Sequence, residues 1–275
     1  SKNNNLLLIN NLSLKSINDL PKKIVVDLYN QHGALLFRNF KIGIDDIQKF
    51  TDKFTKIYAN DAGRRKEVEN TKHVKTVDEG NKMMPLHSEA SYSPSWPDIV
   101  WFYCINPSLK SGFTTLCDGT QVYKRFKINT KKYFLENEIN YFVEIPIQIK
   151  KNKKKLIRKW HFDEVGCIDP ILDEKHKKII FIQKRYAINK VVNLDKLSFV
   201  NHLQIILDRD PQLKKWTIGN KKKLPYEIIK DVKQCCKNET FNIVWKKNDL
   251  CMINNKRFMH GRTKIESRDK KLRKI

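Results

Sequence analysis

The sequence predicts an α+β fold that is mainly β, in which a jelly roll (a double-stranded β-helix) carries helices on its outside. Helical patterns dominate the first part of the chain, and short β-branched and aromatic runs dominate the part after Pro85. No Pro- or Ser-rich linker divides the 275 residues. We therefore expect one domain over 1–275: a helical N-terminal part at 1–60, a candidate lid loop at 60–84, and a jelly-roll core at 85–275 with a helical insert at about 190–237.

The N-terminal part contains two predicted helices and one strand. Apolar residues at helical spacing predict helices over 18–31 and 44–58, and the apolar run at 34–40 predicts a strand between them. Residues 60–84 are polar and show no persistent period. In a compact domain such a stretch is usually a functional loop, so we expect a lid there.

The remainder of the chain is rich in predicted strands. Their composition places them at 99–105, 113–117, 141–149, 179–182, 241–245 and 250–253. Helical patterns at 194–207 and 226–236 lie between them, and 150–159 is predicted to be a basic hairpin tip.

The chain is strongly basic, with 55 Lys and Arg against 30 Asp and Glu and a formal net charge of +25. Such a charge attracts nucleic acid, acidic proteins or anionic small molecules. Lysine far outnumbers arginine, and Asn and Ile are also abundant, a skew that coding bias towards A and T explains. A non-catalytic basic β-barrel that binds RNA or an acidic partner stays open as an alternative. Nucleic acid is not the expected partner, because clustered aromatic and arginine platforms are missing.

The sequence indicates a cytoplasmic protein without a membrane partner. No apolar run is long enough to span a bilayer, and Leu6–Ile9 is too short for a signal peptide. The six cysteines form no CxxC pair, so we expect reduced thiols, several of them buried.

A metal site is predicted from His87 and Glu89, which lie two residues apart and share one face of an extended segment. A third ligand from His260 would complete a two-histidine, one-carboxylate triad of the kind that binds iron(II) and leaves positions open. His161 and Asp163 have the same spacing. A different metalloenzyme that uses this second pair therefore also stays open.

Three further blocks follow His87-Ser88-Glu89 in order. They are Ser111-Gly112-Phe113-Thr114-Thr115, Trp245-Lys246-Lys247-Asn248-Asp249-Leu250, and Asn254-Asn255 with His260-Gly261-Arg262. With these blocks the chain resembles the TauD/TfdA-like iron(II)/2-oxoglutarate dioxygenases, especially their SyrP-like branch, over about residues 30–130 and 215–275. It departs from that pattern at Ser111, Asn248 and Asn254, none of which is a metal ligand.

The resemblance implies a role for individual residues. His87, Glu89 and His260 are the expected catalytic iron ligands, and Thr114 is expected to bind the distal carboxylate of 2-oxoglutarate. Arg273 is the expected arginine partner of that carboxylate, with Arg268 as the alternative, because a planar guanidinium grips a carboxylate with two hydrogen bonds. Two roles stay open for Tyr92, core packing or substrate contact, since aromatic residues dominate buried packing. Two also stay open for Arg262, which could pair with an acidic neighbour to brace the site or could meet the substrate.

The resemblance also implies the reaction. The cofactors are Fe(II), the co-substrate 2-oxoglutarate and O2, and the expected outcome is hydroxylation, desaturation or cyclisation at an unactivated carbon. The carboxylate of Glu89 argues against halogenation, since related halogenases have a small residue at that position. The expected substrate is an amino-acid-derived small molecule, either free or tethered to an acidic carrier protein.

Overall fold

A computed structural model of the chain describes residues 6–13, 16–59, 65–68, 71, 73–77, 80–94, 96–108, 110–146, 167–209, 216–219 and 224–266. These residues form a mostly-β α+β fold with several sheets. The helices are α1 (Lys22–His32), α2 (Ile44–Asp52), α3 (Gly119–Arg125), α4 (Ile128–Glu136), α5 (Leu203–Arg209) and α6 (Tyr226–Glu239), with a 3-10 helix at Ile17–Asp19. The strands are β1 (Leu6–Asn10), β2 (Ala34–Arg38), β3 (Met84–His87), β4 (Ile99–Tyr103), β5 (Thr114–Asp118), β6 (Ile139–Pro146), β7 (Cys167–Asp173), β8 (Lys178–Arg185), β9 (Ile188–Lys190), β10 (Leu197–Phe199), β11 (Trp216–Ile218), β12 (Thr240–Asn242), β13 (Leu250–Asn254) and β14 (Phe258–Arg262).

Two four-stranded sheets bring the two ends of the chain together. The first has the order β1-β2-β13-β4, and the second has the order β12-β5-β14-β3. β13 pairs antiparallel with β2 and β4, and β14 pairs antiparallel with β5 and β3. A third sheet has the order β11-β6-β8-β7, and β9 pairs with β10. The late strand β13 is thus a central strand of the first sheet, and the late strand β14 is a central strand of the second.

Alternating side chains pack the first two sheets against each other. Cys251 and Ile253 of β13 share a buried cluster with Leu116 of β5 and Phe258 of β14. Leu250 points to the opposite face, where a second cluster includes residues of α1 and α2. This period of two is what a strand buried on both faces requires. Each fully buried apolar side chain of this size contributes about 1.5–3 kcal/mol to stability.

The outer face of the second sheet is covered by the remaining elements. Met259 of β14 and Cys117 of β5 join a large cluster with residues of α3, α4, α6 and the third sheet. The second sheet is therefore buried on both faces, and its side chains that point towards the first sheet lie in an interior protected from water.

Two local devices direct the chain into these sheets. Gly33 ends α1 in the left-handed conformation, with φ 76°, and its N–H donates to the carbonyl of Tyr29, so that β2 begins at the next residue. At the end of β5, the Asp118 carboxylate accepts the backbone N–H of Thr120 at 2.9 Å and caps α3.

Most predicted elements are confirmed in type, but the helix over 194–207 was wrong in its first half. Leu197–Phe199 is the strand β10, paired with β9, and α5 begins only at Leu203. The Asn201 side chain accepts the backbone N–H of Leu203 at 3.0 Å, which marks the real start of the helix. The second helix is also shorter than the predicted 44–58, since α2 ends at Asp52.

Other parts of the prediction lie elsewhere or were missed. The region 190–237 contains β10 and β11 as well as α5 and α6, and the sequence patterns did not indicate α3, α4, β1 or β7. The basic hairpin tip predicted at 150–159 lies outside the described residues. Within 60–84, Glu67 and Lys75 form an antiparallel bridge.

Five of the six cysteines, Cys104, Cys117, Cys235, Cys236 and Cys251, are buried free thiols. This agrees with the predicted reduced state. None of the helices formed by the described residues combines the length and apolar character that crossing a membrane requires.

Candidate metal centre

The two predicted histidine ligands face each other across adjacent strands. His87 ends β3, His260 lies in β14, and the two residues are direct partners in the antiparallel ladder. Their ring centroids are 4.3 Å apart. Because β14 also pairs with β5, His260 is held from both sides. The sheet therefore fixes the separation of two imidazoles that are far apart in the sequence.

Glu89 follows β3 and brings its carboxylate to the same point. Its Oε2 atom lies 3.9 Å from Nε2 of His87 and 3.6 Å from Nε2 of His260. One ligand atom from each of the three residues lies within 4.8 Å of the others. The structure thus brings together all three residues that the sequence singled out as a metal triad.

The protonation states of the triad suit a cation. Nδ1 of His87 lies 2.9 Å from the carbonyl oxygen of Pro85, an arrangement that places the proton on Nδ1 and leaves the Nε2 lone pair for a metal. Burial, with a contribution from His87, lowers the pKa of His260 to about 4, so this imidazole is neutral at physiological pH. Burial raises the pKa of Glu89, but the neighbouring imidazoles of His260 and His87 and the charge of Arg65 outweigh it and hold this pKa well below its usual value.

This donor set fits an iron(II) ion. Two neutral imidazoles and one carboxylate are the protein ligands of the two-histidine, one-carboxylate sites of non-haem iron. Adjacent ligands about 2.1 Å from a metal ion stand about 3 Å apart, so the observed separations of 3.6 and 3.9 Å close with side-chain shifts of less than an ångström. In the structure, Nδ1 of His260 is buried without a hydrogen-bond partner among the described residues.

The predicted co-substrate residue Thr114 lies in the same interior. It begins β5 and is the ladder partner of Arg262, two residues beyond His260. Its hydroxyl oxygen accepts a hydrogen bond from Nε1 of Trp245 at 3.0 Å. The indole has no acceptor, so the hydroxyl hydrogen of Thr114 remains available to a ligand. Arg268 and Arg273 lie outside the described residues, as do His161 and Asp163.

Arg262 and Tyr92, the candidate substrate contacts, have protein partners. The Arg262 guanidinium donates to the carbonyl oxygens of Gly80 and Lys82, so it braces the segment that leads into β3. The ring of Tyr92 packs edge-on against His202 with centroids 4.7 Å apart, at the border of the large core cluster.

Asn255 supports the site in a way that the motif alone did not reveal. Its side chain is fully buried, accepts the backbone N–H of Glu89 at 2.8 Å and donates to the Glu89 carbonyl at 2.9 Å. The same amide nitrogen donates to the carbonyl of Pro97, and the Ser88 hydroxyl donates to the Asn255 side chain. Asn255 therefore fixes the backbone on both sides of the carboxylate ligand.

Two further residues near the triad carried no sequence signal. Arg65 places its Nη2 atom 3.4 Å from Oε2 of Glu89. The ring of His202 lies edge-on to that of His87, with centroids 5.2 Å apart, and burial lowers the pKa of His202 to about 3. His202 is an isolated histidine and Arg65 lies in an aperiodic loop, so only the folded chain reveals their positions.

A buried ion pair anchors the start of β14. Arg257 donates from Nη2 to the Asp118 carboxylate at 2.7 Å, and both side chains are almost fully buried. Because Asp118 ends β5, the ion pair links the start of β14 to β5, close to His260 along the strand. On the other side, the ring of Phe102 in β4 packs against His260 with centroids 5.2 Å apart.

Comparison with known proteins shows the family and the fold of the chain. The family described as "Taurine catabolism dioxygenase TauD, TfdA family" matches residues 7–275. No curated protein is similar enough to match. Among solved structures, PvcB from Pseudomonas aeruginosa superposes with a TM-score of 0.63 at 13% identity, covering 95% of this chain and 81% of PvcB.

Two more solved structures are similar. A second structure of PvcB, described as an Fe, alpha-ketoglutarate dependent oxygenase from an isonitrile synthetic pathway, has a TM-score of 0.60 at 13% identity and covers 94% of this chain and 80% of its own. AAD-2, in complex with Mn(II) and N-oxalylglycine, has a TM-score of 0.58 at 13% identity and covers 98% and 90%. These likenesses show the fold, while the family match spans nearly the whole chain. The chain belongs to the TauD/TfdA family of iron(II)- and 2-oxoglutarate-dependent dioxygenases.

Proposed function

We propose that His87, Glu89 and His260 are the three protein ligands of the catalytic iron(II). The observation that carries this proposal is the convergence of Oε2 of Glu89 with Nε2 of both histidines, at 3.9 and 3.6 Å. The hydrogen bond from His87 to Pro85 and the Asn255 contacts to Glu89 support it, because such outer partners orient metal ligands. Together with 2-oxoglutarate and O2, the bound iron supplies the oxidising power that cleaves an unactivated C–H bond.

Thr114 and Arg273 are our proposed partners for the distal carboxylate of 2-oxoglutarate, with Arg268 as the alternative to Arg273. Support comes from the Trp245 indole, which occupies the acceptor side of the Thr114 hydroxyl and leaves its hydrogen for a carboxylate. Thr114 also faces the same interior as His260, since the two strands are neighbours.

The proposed architecture is a single domain over 1–275 with a jelly-roll core. The shared cluster between the first two sheets supports this arrangement. In this proposal the region 60–84 acts as a lid, which is consistent with the approach of Arg65 to Glu89 and with the bonds from Arg262 to the carbonyls of Gly80 and Lys82.

The proposed reaction is hydroxylation, desaturation or cyclisation of an amino-acid-derived small molecule, free or tethered to a carrier protein, as in the SyrP-like branch. Glu89 supports oxygenation over halogenation, because its carboxylate occupies the place that a halide would need. Tyr92 lies near the triad through its contact with His202 and remains a candidate substrate contact. The alternative, a non-catalytic basic β-barrel for RNA or an acidic partner, is not favoured, since such a protein has no use for three converging donors.

Anaerobic titration of the protein with Fe(II) and 2-oxoglutarate tests the ligand assignment. The expected result is a weak visible charge-transfer band in the wild-type protein and its loss in Glu89→Ala. Asp163→Ala is the matched control, because His161 and Asp163 have the same spacing in the sequence, and it should retain the band.

A substrate panel scored by succinate release then tests the reaction. If Glu89→Ala keeps metal binding and Asp163→Ala loses it, the proposed triad is wrong. RNA binding with steep salt dependence, in a protein that binds no iron, would favour the alternative.

A further inference from the structure

Arg65 is a cation beside the proposed carboxylate ligand. Its Nη2 atom lies 3.4 and 3.5 Å from the two carboxylate oxygens of Glu89, which are long distances for a charge-assisted hydrogen bond. The Arg65 side chain is 34% exposed, and that of Glu89 is 27% exposed. Its Nε and Nη1 atoms make no hydrogen bond to any residue that the structure describes. The guanidinium therefore lies at the solvent-exposed side of the site, where its Nε and Nη1 atoms can donate to a ligand.

A small hairpin holds Arg65 in this place. Directly after Arg65, the N–H of Val68 donates to the Val74 carbonyl and the N–H of Thr76 donates to the Lys66 carbonyl, both at 2.9 Å. The backbone that directly follows Arg65 is therefore hydrogen-bonded, and this fixes the point from which the Arg65 side chain extends to the site.

The hairpin is in turn attached to α2. The ring of His73 stacks on that of Tyr58 with centroids 4.0 Å apart and an interplanar angle of 6°. The Tyr58 hydroxyl donates to the Asp52 carboxylate at the end of α2. This chain of contacts gives Arg65 a defined position relative to Glu89.

When the metal ion and 2-oxoglutarate are bound, the charges of the site leave Arg65 without a full counter-charge. A divalent cation, Arg65 and one arginine at the distal carboxylate bring four positive charges, with both imidazoles neutral as metal ligands. Glu89 and the 2-oxoglutarate dianion offset three of them. Because the metal also draws on the single carboxylate of Glu89, Arg65 loses part of its counter-charge. An uncompensated charge in a partly buried site is unfavourable unless a ligand pairs with it.

We propose that Arg65 binds a free carboxylate of the substrate and thereby places the substrate beside the metal. This inference rests on the proposed function and narrows it. A substrate tethered to a carrier by a thioester has lost the charge of that carboxylate, so Arg65 selects the free acid. Arginine suits the role because its planar fork binds a carboxylate through two parallel hydrogen bonds, which a lysine cannot reproduce.

Binding of propionate, a minimal monocarboxylate, to the full-length protein tests this inference without turnover. Calorimetry is performed on protein saturated with Mn(II) and N-oxalylglycine, so that the metal and the co-substrate anchor are already occupied. The wild-type protein should bind propionate saturably in the millimolar range. Propionamide and S-propionyl-N-acetylcysteamine, which lack the charge, should not bind measurably.

Three variants of the hairpin give the expected pattern. Arg65→Gln should weaken propionate binding at least tenfold, and Arg65→Lys should weaken it several-fold. Lys66→Gln removes one positive charge from the exposed neighbouring position and should bind propionate as the wild type does.

The outcomes separate the two proposals. Failure of the wild type to bind Mn(II) and N-oxalylglycine contradicts the proposed function itself. If wild type and Arg65→Gln both load normally, three results overturn the role of Arg65 alone. Neither protein binds propionate, both bind it equally well, or the wild type binds the uncharged controls as well as it binds propionate. A loss of propionate binding in Lys66→Gln equal to that in Arg65→Gln also overturns it, because the effect would then be one of general charge.

Discussion

The side-chain amide of Asn255 bridges the backbone of Glu89, accepting its N–H at 2.8 Å and donating to its carbonyl at 2.9 Å. This pairing resembles the ladder between two strands, but a side chain supplies one half of it. Glu89 lies beyond the end of β3 and has no strand partner of its own, so Asn255 takes the place of one. Asn255 thereby fixes the backbone that carries the carboxylate ligand.

Replacement of Asn255 by Asp should weaken metal binding. Asp retains an acceptor for the Glu89 N–H but cannot donate to the carbonyls of Glu89 and Pro97, and loss of an outer-shell partner typically costs about 10- to 100-fold in metal affinity. Isothermal titration with Mn(II) measures the effect. Asn140→Ala is the control, since Asn140 bonds Thr217 and Gly219, which are not part of the triad. Unchanged affinity in Asn255→Asp would contradict the supporting role.

Gly261→Ala should separate the two histidine strands. A Cβ atom at Gly261 would lie 2.6 Å from the carbonyl oxygen of Met84 and 2.9 Å from Oγ1 of Thr115, so β3 must move away from β14. Overpacking of this kind costs about 1–3 kcal/mol of stability, and the displacement of His87 should lower metal affinity as well. Urea unfolding and Mn(II) titration report the two effects. Gly43→Ala, where the nearest atom is at 3.4 Å, lies at the start of α2 and should leave metal affinity unchanged.

Trp245→Phe should weaken binding of 2-oxoglutarate and leave metal affinity unchanged. The variant removes the donor to Thr114, and a hydrogen bond of this kind contributes about 0.5–1.5 kcal/mol, or roughly 2- to 13-fold in affinity. Anaerobic titration of 2-oxoglutarate into the metal-loaded protein measures the change. Because Trp245 acts through Thr114, the double variant Thr114→Val/Trp245→Phe should bind 2-oxoglutarate with the same affinity as Thr114→Val alone. Additive losses would show that the two residues act separately.

The metal-free protein should lose stability as the pH falls below about 6.5. His202 has its pKa lowered to about 3 in the folded chain, and the ordinary value is 6.5, so between these values the unfolded chain binds the additional proton. His260, with its pKa lowered to about 4, acts in the same direction. Each such histidine contributes a slope of up to about 1.4 kcal/mol per pH unit. Urea unfolding at pH 7, 6 and 5 should show a steeper decline in wild type than in His202→Phe, and equal slopes would contradict the assignment.

The sequence predicted the triad because its signal is local and ordered. His87 and Glu89 lie two residues apart, so their side chains share one face of an extended segment. His260 lies in the block His260-Gly261-Arg262, which follows the other blocks in the expected order. The actual juxtaposition of His87 with His260 depends on β14 pairing with β3, which no local pattern specifies.

The parts that failed or were missed depend on tertiary contacts. Leucines at 194, 197, 203 and 207 mimic helical spacing, yet pairing with β9 makes Leu197–Phe199 a strand. Arg65 and His202 reach the triad from segments without a motif, so only packing of the whole chain brings them there. The proposed arginine anchor at 273 lies outside the described residues and stays a prediction.

The central position of β14 in its sheet has a consequence for biosynthesis. His87 and Glu89 are synthesised well before His260, so the nascent chain cannot form the site until β14 has been added. A cation that binds only the finished fold stabilises it by mass action and gives little help to truncated or misfolded chains. Cellular iron supply should therefore influence how long the mature protein survives and not how its early segments fold.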